Sequence, residues 1–572
     1  MAGTPVVVGI NRTQDGSIAV ASGSSVHSLQ KERVTRRKHH WGRLGDVERL
    51  YLPRLRQLRE PVDLVVECYS SDAEVAKLDA YHDELRRSLR FRNDEPRIVT
   101  VSHHLVHLFS AFPPSPYDAA AVMVIDAQGS RVRDFTDSFP AAAGADPDLL
   151  EVSSFYRCDR GSMRCLGKQL WDGDWARPVG LGCFYYLLTR MIFPTGEGNE
   201  GKVMGLAPYG DPTALGLPEL PVGGHSVQIP DEWLKLFEER DRFIFPSFPS
   251  AGTGSFEDCA NLAAAGQRAF ESAVLALAGW LHEQTGLRDL CFVGGTALNC
   301  SANGRLLRES PFRNVFIPPS PHDGGTAVGC ALYGMLECLG RPSDFRWRND
   351  FLGPDPDEAA LAQLLSGRPD DLIVEQPADL VAAIVDLLES GRVVGLAHGR
   401  SESGPRALGN RSILADARHP GMQDFINHQV KGREWFRPLA PLVLAESAGR
   451  IFDVDRPAPF MQYAADVRPE YREFLPAITH VDGTARLQTV EPENTPFLHA
   501  LLTAFEARTG CPVLLNTSLN GPGDPLAETP EDALKCLTET SMHALVLPPY
   551  LVRKRDEPPV PSRDQPPVPS RD

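Results

Sequence analysis

Three short apolar runs along the chain share one design. VVVGIN at 6–11 runs into a polar turn, AVMVI at 121–125 ends in Asp126 and is followed by QGS at 128–130, and LCFV at 290–293 stops at Gly294–Gly295. Runs of this length, rich in β-formers and bounded by glycine or polar turns, predict buried strands. The first two stand in hairpin-like contexts, with SIAVA at 17–21 after one and residues 130–135 after the other. Between 340 and 375 the pattern turns to RPSD and LGPDPD, and a second α/β alternation opens with a helix predicted over 380–389 and a strand over 393–396. The expected organisation is therefore a domain over 1–345, a linker over 346–378, a second domain over 379–553 and a tail over 554–572. That tail contains PPVPSRD twice. Proline blocks a backbone ladder and there is no apolar face to bury, so disorder is expected there.

Two strand–turn–strand units presenting polar turns, beginning near residues 6 and 121, resemble the duplicated phosphate-gripping fold of actin-like and sugar-kinase-like ATPases, where glycine lets the backbone approach a nucleotide. Three ordinary sheet strands are the alternative. A chain of 572 residues with 42% hydrophobic content supports about two to four cores. The net charge of −17 favours a small molecule over a nucleic acid, whose phosphates it repels. The absence of an apolar run of about 18 residues predicts no membrane span. The opening MAGTPVVVGIN does not read as a signal segment. Eleven cysteines without a C-x-x-C pair suggest neither a disulfide framework nor a cysteine-rich zinc site, and a cytoplasmic location is expected.

Candidate chemistry falls in both halves. His103 and His107 form an HxxxH pair, which on a helix puts two imidazoles on one face. His104 stands where a zinc protease needs glutamate, which rejects that class. Asp126 at a strand end and Asp323 at a turn entering an apolar helix offer oxygen ligands; this mixture suits iron(II), manganese or zinc better than magnesium. An ordinary polar helix face is the plainer alternative. GEGNEGK at 196–202 fits a P-loop up to Val203, where serine or threonine is required, so a P-loop is rejected; Glu200 and Lys202 remain available to a nucleotide in another way. Gly294, Gly295 and Asn299, running from strand to helix start, suit a phosphate or adenosine pocket, or merely close packing. In the second half, Arg400, Arg406 and Arg411 lie within 398–413, and Lys431, Arg433 and Arg437 within 431–438. In an acidic chain these clusters point to an anion site, because guanidinium forks match phosphate oxygens; a solvated charged face is the plainer alternative. Asn516, Thr517 and Ser518 end an apolar strand with amide and hydroxyl groups that suit a planar carbamoyl or phosphate group, or an ordinary turn.

Taken in order, ERVTRRKH at 32–39, the HxxxH pair, EGKVMGLA at 200–207, GGTALN at 294–299, SGPRALGNRSI at 403–413, KGREWFRP at 431–438 and NTSLN at 516–520 resemble the carbamoyltransferase family of nodulation-factor and antibiotic-tailoring enzymes. The resemblance implies an α/β fold with an N-terminal actin-like domain, akin to threonylcarbamoyl transferases, and a C-terminal YrdC-like domain. It implies that ATP, accompanied by magnesium, and carbamoyl phosphate give carbamoyl adenylate, and that the carbamoyl group then moves to a hydroxyl of a small molecule. It implies a metal, iron(II), on His103, His107, Asp126 and Asp323, with Lys38 near the nucleotide. Arg406, Lys431, Arg437, Asn516 and Ser518 would line the adenylation site. One position departs: Gln14 stands where the family carries a histidine read as the acceptor's base, which leaves Asp15 as a substitute. A tRNA threonylcarbamoyl transferase and a non-catalytic ATP-binding regulator are the rival readings. The oligomeric state is not legible.

Overall fold

The three apolar runs form interior strands of two sheets. The computed structural model describes residues 4–561 except 71, 141–143, 195–197, 240, 247–252 and 368–369. Strand β1 (Val6–Asn11) pairs antiparallel with β2 (Ser17–Ser22), which pairs with β3 (Ser25–Gln30). On its other side β1 runs parallel to β4 (Leu64–Cys68), and β4 to β5 (Ile98–Val101). A second sheet repeats this plan with β6 (Ala119–Ile125), β7 (Leu150–Asp159), β8 (Ser162–Trp171), β9 (Asp289–Val293) and β10 (Asn314–Phe316). Both five-stranded sheets have the same strand order, with the founding strand in the middle. Both lie in the first of two units, Met1–Trp347 and Arg348–Asp572.

The second hairpin differs from expectation. The partner of β6 is β7, and within 130–135 the chain makes a short 3-10 turn at Val132–Asp134. Arg131 and Arg133 in this polar stretch pair with Asp72 at 2.8 and 2.7 Å, contacts a buried strand would forbid.

Helix α1 (His103–Ala111) follows β5 and is buried along its whole length. Helix α2 (Phe256–Thr285) begins at a Ser255 cap, whose side chain accepts from Asp258 N–H, and ends at Gly286 in the left-handed region. Helix α3 (Thr326–Tyr333) packs so tightly on its neighbours that glycine is required: a Cβ on Gly9 would lie 2.0 Å from Ala327 O, and one on Gly329 would lie 1.9 Å from Val106 O. These approaches hold β1, α1 and the loop before α3 around one point.

Beside that point lies a buried ionic knot. Arg12 Nε donates to Glu67 Oε1 at 2.9 Å, Arg12 Nη1 lies 3.5 Å from Glu84, and the guanidinium sits 4.2 Å from the centre of the Tyr81 ring. Burial opposes its charge, but Glu67 and Glu84 more than offset this and keep Arg12 protonated. Removing one partner of such a pair strands a buried charge, at a cost of about 3 kcal/mol. Glu67→Gln should therefore lower the first urea-unfolding transition by roughly that amount, read by fluorescence.

In the second unit, one eight-stranded sheet runs, in spatial order, Leu372–Glu375, Tyr550–Lys554, Ala544–Leu547, Val394–Ala397, Arg411–Asp416, Val513–Ser518, Ala440–Leu444 and Gln488–Val490. The expected helix spans Leu380–Glu389. The stretch expected as a linker carries more structure than its turn signals suggested. Asp357 caps a helix over Glu358–Ser366, and the apolar Leu372–Glu375 forms the sheet edge against Tyr550–Lys554. The start of the expected tail is also engaged: Arg392 pairs with Glu557 at 2.7 Å, and His419 Nε2 lies 2.9 Å from Pro561 O. The rest of that tail, 562–572, lies outside the described residues. The cysteines are free thiols, mostly buried. Among the described residues no helix is long and apolar enough to cross a membrane.

Candidate active site

Ser102 N-caps α1 by position, and the helix then places His103 and His107 one turn apart with ring centroids 4.7 Å from each other. Asp126 follows β6, and Asp323 opens the turn into α3. One ligand atom from each of these four residues lies within 4.8 Å of the other three. The two Nε2 atoms are 3.2 Å apart, His103 Nε2 is 3.2 Å from Asp323 Oδ1, and His107 Nε2 is 3.3 Å from Asp126 Oδ2. Ligands about 2.1 Å from a shared ion, at angles between tetrahedral and octahedral, lie about 3.0–3.4 Å apart, so the set fits a divalent cation. The carboxylates are oriented from behind. Thr13 Oγ1 donates to Asp323 Oδ2 at 2.9 Å, Gly295 N–H to Asp126 Oδ2 at 3.3 Å, and Ala127 N–H to Asp126 Oδ1 at 2.8 Å. Burial works against every charge here, yet the imidazoles hold Asp126 and Asp323 ionised and the carboxylates raise His103 and His107.

The other expected residues of this unit divide. Asp15 reaches the rim of the cluster: its Oδ2 is 3.9 Å from His322 Nε2, next in sequence to Asp323. Its other oxygen is taken by His39 Nδ1 at 3.0 Å, so the carboxylate is not standing open as a base. Gln14 lies in the same turn and contributes its backbone carbonyl to Asn11 Nδ2 at 2.9 Å. Lys38 is exposed in the neighbouring turn. Glu200 starts the short helix Glu200–Leu206, and Lys202 lies over the Phe193 ring at 5.2 Å. Gly294, at φ 101, lets the chain cross Ile125 O, where a Cβ would come within 2.2 Å; with Gly295 it serves to orient Asp126. Asn299 was expected at a nucleotide. Instead it caps the helix Cys300–Glu309, accepting from Ala302 N–H, and exchanges both amide hydrogen bonds with Gln267 at 2.9 and 3.0 Å. Helix capping, the commonest use of asparagine after a strand-end turn, accounts for it.

In the second unit two buried carboxylates shape the loop that carries Arg406. Glu402 Oε1 accepts from Leu408, Asn410 and Arg411 N–H, and Asp350 accepts from Ser403 Oγ at 2.6 Å and Gly404 N–H at 2.7 Å. Lys431 Nζ is gathered in by Ser518 O at 2.8 Å, Ser518 Oγ at 3.2 Å and Asn520 Oδ1 at 2.6 Å. Asn516 donates to Ala407 O at 2.9 Å, while its buried Oδ1 has no partner among the described residues. Strand alternation puts Thr517 on the opposite face from Asn516 and Ser518, away from Lys431. Arg411 also departs from expectation. Its guanidinium donates to the carbonyls of His398, Gly399, Asn410 and Glu528, which makes it a brace of the loop and not an open anion ligand.

Arg437 has a neighbour that no motif revealed. Arg433, Arg437 and Arg486 approach one another with Glu434 as their nearby carboxylate, 3.6 Å from Arg437. Burial chiefly lowers the pKa of both Arg433 and Arg437; repulsion from Arg437 and then Arg486 adds to it at Arg433, and repulsion from Arg486 at Arg437. Arg486 Nε has no partner among the described residues. These three arginines are half-buried, and crowding guanidinium groups away from full solvation is costly unless an anion neutralises them.

The two groups of residues lie one in each α/β unit: a four-residue cluster fit for a cation in the first and an arginine cluster in the second. Residues 68–332 match the family model described as Carbamoyltransferase N-terminus, and residues 385–554 match Carbamoyltransferase C-terminus. The chain is 36% identical over 469 residues to nodulation protein NolO of Bradyrhizobium diazoefficiens, covering 80% of this chain and 79% of that protein. It is 32% identical over 455 residues to the 3'-hydroxymethylcephem-O-carbamoyltransferase of Streptomyces clavuligerus, covering 78% of each. It is also 36% identical over 517 residues to the uncharacterised protein sll1178 of Synechocystis, covering 81% of this chain and 78% of that one. The chain belongs to the carbamoyltransferase family and is an O-carbamoyl-transferring enzyme.

Proposed function

We propose that the second unit, as a YrdC-like domain, converts carbamoyl phosphate and ATP into carbamoyl adenylate, and that the first, as an actin-like domain, moves the carbamoyl group to a hydroxyl of a small molecule. Water hydrolyses carbamoyl phosphate: its oxygen bonds the cleaved centre, the carbamoyl–phosphate C–O–P linkage breaks, and carbamate and inorganic phosphate result. A carbamate oxygen attacks the α-phosphorus of ATP, whose β,γ-phosphates leave as pyrophosphate with magnesium. The acceptor oxygen then attacks the carbamoyl carbon, and AMP departs with the bonding electron pair. The acceptor is a secondary metabolite or its sugar; the cephem relative is named for carbamoylating a hydroxymethyl group. The net charge of −17 disfavours tRNA as the acceptor.

The observation that carries the reading is the half-buried cluster of Arg433, Arg437 and Arg486, with Glu434 as its nearby carboxylate. Phosphate-bearing substrates are the chemistry that neutralises it. Lys431 and Ser518 then orient the transferred group, the open Oδ1 of Asn516 accepts from the carbamoyl NH₂, and Arg406 adds charge from its pinned loop. In the first unit His103, His107, Asp126 and Asp323 would hold a first-row ion, iron(II), which when bound supplies positive charge to the adenylate phosphate. Thr13, Gly295 and Ala127 fix those carboxylates, with Gly294 allowing the close crossing at Ile125, and Lys38, Glu200 and Lys202 flank the nucleotide.

Incubating the full chain with ATP, carbamoyl phosphate, iron(II) and a panel of hydroxylated metabolites should yield a product heavier by one carbamoyl group in mass spectrometry. Labelled pyrophosphate should exchange into ATP only when carbamoyl phosphate is present. Exchange independent of carbamoyl phosphate would remove the adenylate from the scheme.

A further inference from the structure

The turn between β1 and β2 is clasped by the segment at 39–42, and the clasp is strained at two positions. Gly16 N–H donates to His40 O at 3.0 Å, and Gly42 N–H to Thr13 O at 2.9 Å. A Cβ on Gly16 would lie 2.5 Å from Gly42 N, so the two segments meet at backbone contact distance. Asp15 and His39 both sit in the left-handed region, at φ 52 and φ 53, which non-glycine residues rarely adopt without surrounding constraint. The outcome of this strain is one contact: His39 Nδ1 lies 3.0 Å from Asp15 Oδ1. The His39 backbone N–H is fixed separately by Glu32 Oε2 at 3.2 Å.

Two further observations give the pair a direction. His39 Nε2 has no hydrogen-bond partner among the described residues, and its side chain is 25% exposed. Gly198, at φ 74, lies against Nε2: a Cβ there would come within 2.1 Å of that nitrogen, so only glycine fits beside it. The other end of the pair leads to the four-ligand cluster, since Asp15 Oδ2 is 3.9 Å from His322 and Thr13 of the same turn donates to Asp323.

We propose that His39, oriented by Asp15, takes the proton from the acceptor hydroxyl in the transfer step, an assignment that rests on the transfer scheme above. The acceptor O–H bond breaks and its proton goes to His39 Nε2. The oxygen's electron pair forms the new bond to the carbamoyl carbon, and the bond from that carbon to the AMP oxygen breaks with its pair leaving on AMP. Asp15 stabilises the imidazolium through Nδ1–H, and the proton passes to solvent from the exposed ring edge. Gln14 in the same turn has an amide that cannot hold a proton near neutral pH, which leaves the work to its neighbours.

The groups facing His39 are Asp15, Glu32 and Glu200, with His322 across Asp15. Burial lowers its pKa, but Asp15, then Glu32 and Glu200, more than offset this and raise it to about 9. The neutral, proton-accepting form therefore grows with pH up to that value, so transfer should climb nearly tenfold per pH unit from 7 to 8 and level off near 9.

The test uses the intact, iron-loaded chain, with AMP formation from ATP and carbamoyl phosphate measured in the presence of glycerol as the hydroxyl probe. His39→Gln should lower kcat by about 100-fold or more, leave KM for carbamoyl phosphate in place and flatten the pH profile. Asp15→Asn should move the profile's midpoint downward, because it removes the anion that raises His39. In parallel, the pH dependence of diethylpyrocarbonate modification at His39, followed by peptide mass spectrometry, should inflect near 9 in the wild type and lower in Asp15→Asn. A purely structural ion pair would move the melting temperature and leave the pH profile intact. A wild-type pH profile and kcat in folded His39→Gln would overturn the assignment, as would a modification inflection that ignores Asp15. Absence of carbamoyl-phosphate-dependent pyrophosphate exchange in the wild type would instead defeat the adenylate scheme.

Discussion

His103→Ala should strip the metal from the first unit and slow carbamoyl transfer by about 1000-fold, while pyrophosphate still exchanges into ATP. His103 Nε2 sits 3.2 Å from both His107 Nε2 and Asp323 Oδ1, so its loss leaves two carboxylates facing one imidazole and opens the coordination set. The scheme assigns adenylate formation to other residues, those around Lys431 and Arg437. Transfer, in contrast, needs charge held where the adenylate phosphate departs. Elemental analysis should find iron or another first-row ion in the wild type, and the double variant His103→Ala/His107→Ala should lack it. Were the four residues only a buried salt-bridge knot, the substitutions would lower stability and leave metal content unchanged. If folded His103→Ala lost both half-reactions equally, the division of labour between the units would be wrong.

The parts of this arrangement that a sequence displays are those governed by local pattern. The helical spacing of His103 and His107, the acid after the second apolar run and the turn before Thr326 are short-range features that offer the four candidate ligands, and the family resemblance joins them into one set. Their convergence depends on the close approaches at Gly9 and Gly329, which are contacts between distant segments. The hairpin after β6 was misplaced because an insertion of polar residues separates the strands, so the alternation that identifies β7 begins only at Leu150. Asn299 and Arg411 were read by residue type. Asparagine suits a phosphate turn and a helix cap equally, and arginine suits an anion and a set of carbonyls equally; only the partners decide. His39 ends ERVTRRKH at 32–39 with nothing in that run to mark a role, since the left-handed turns that bring it to Asp15 leave no pattern in the sequence. Arg486 was missed for the same kind of reason: it stands alone in TARLQ and joins Arg433 and Arg437 only through the fold.

Arg486→Ala should lower carbamoyl-phosphate-dependent pyrophosphate exchange by about 100-fold while leaving the protein as stable as the wild type, or more stable. The two effects have one cause. Arg433 and Arg437 are already pushed down in pKa by burial and, in part, by the charge of Arg486, so deleting that charge relieves repulsion among them. The same deletion removes a donor whose Nε has no partner among the described residues. An arginine kept at a cost in stability is explained if its partner is a substrate, because a bound anion returns the missing interaction. Inorganic phosphate or pyrophosphate should therefore raise the melting temperature of the wild type more than that of Arg486→Ala. Ser518→Ala and Arg406→Ala should also impair exchange, since both lie in the same segment cluster, but without the gain in stability: Ser518 Oγ bonds Asn520 Oδ1 at 2.6 Å and contacts Lys431 Nζ, so its removal loosens a satisfied network. Wild-type exchange in all three variants would take the second unit out of the chemistry. A destabilised Arg486→Ala with full exchange would make the arginine cluster a structural feature alone.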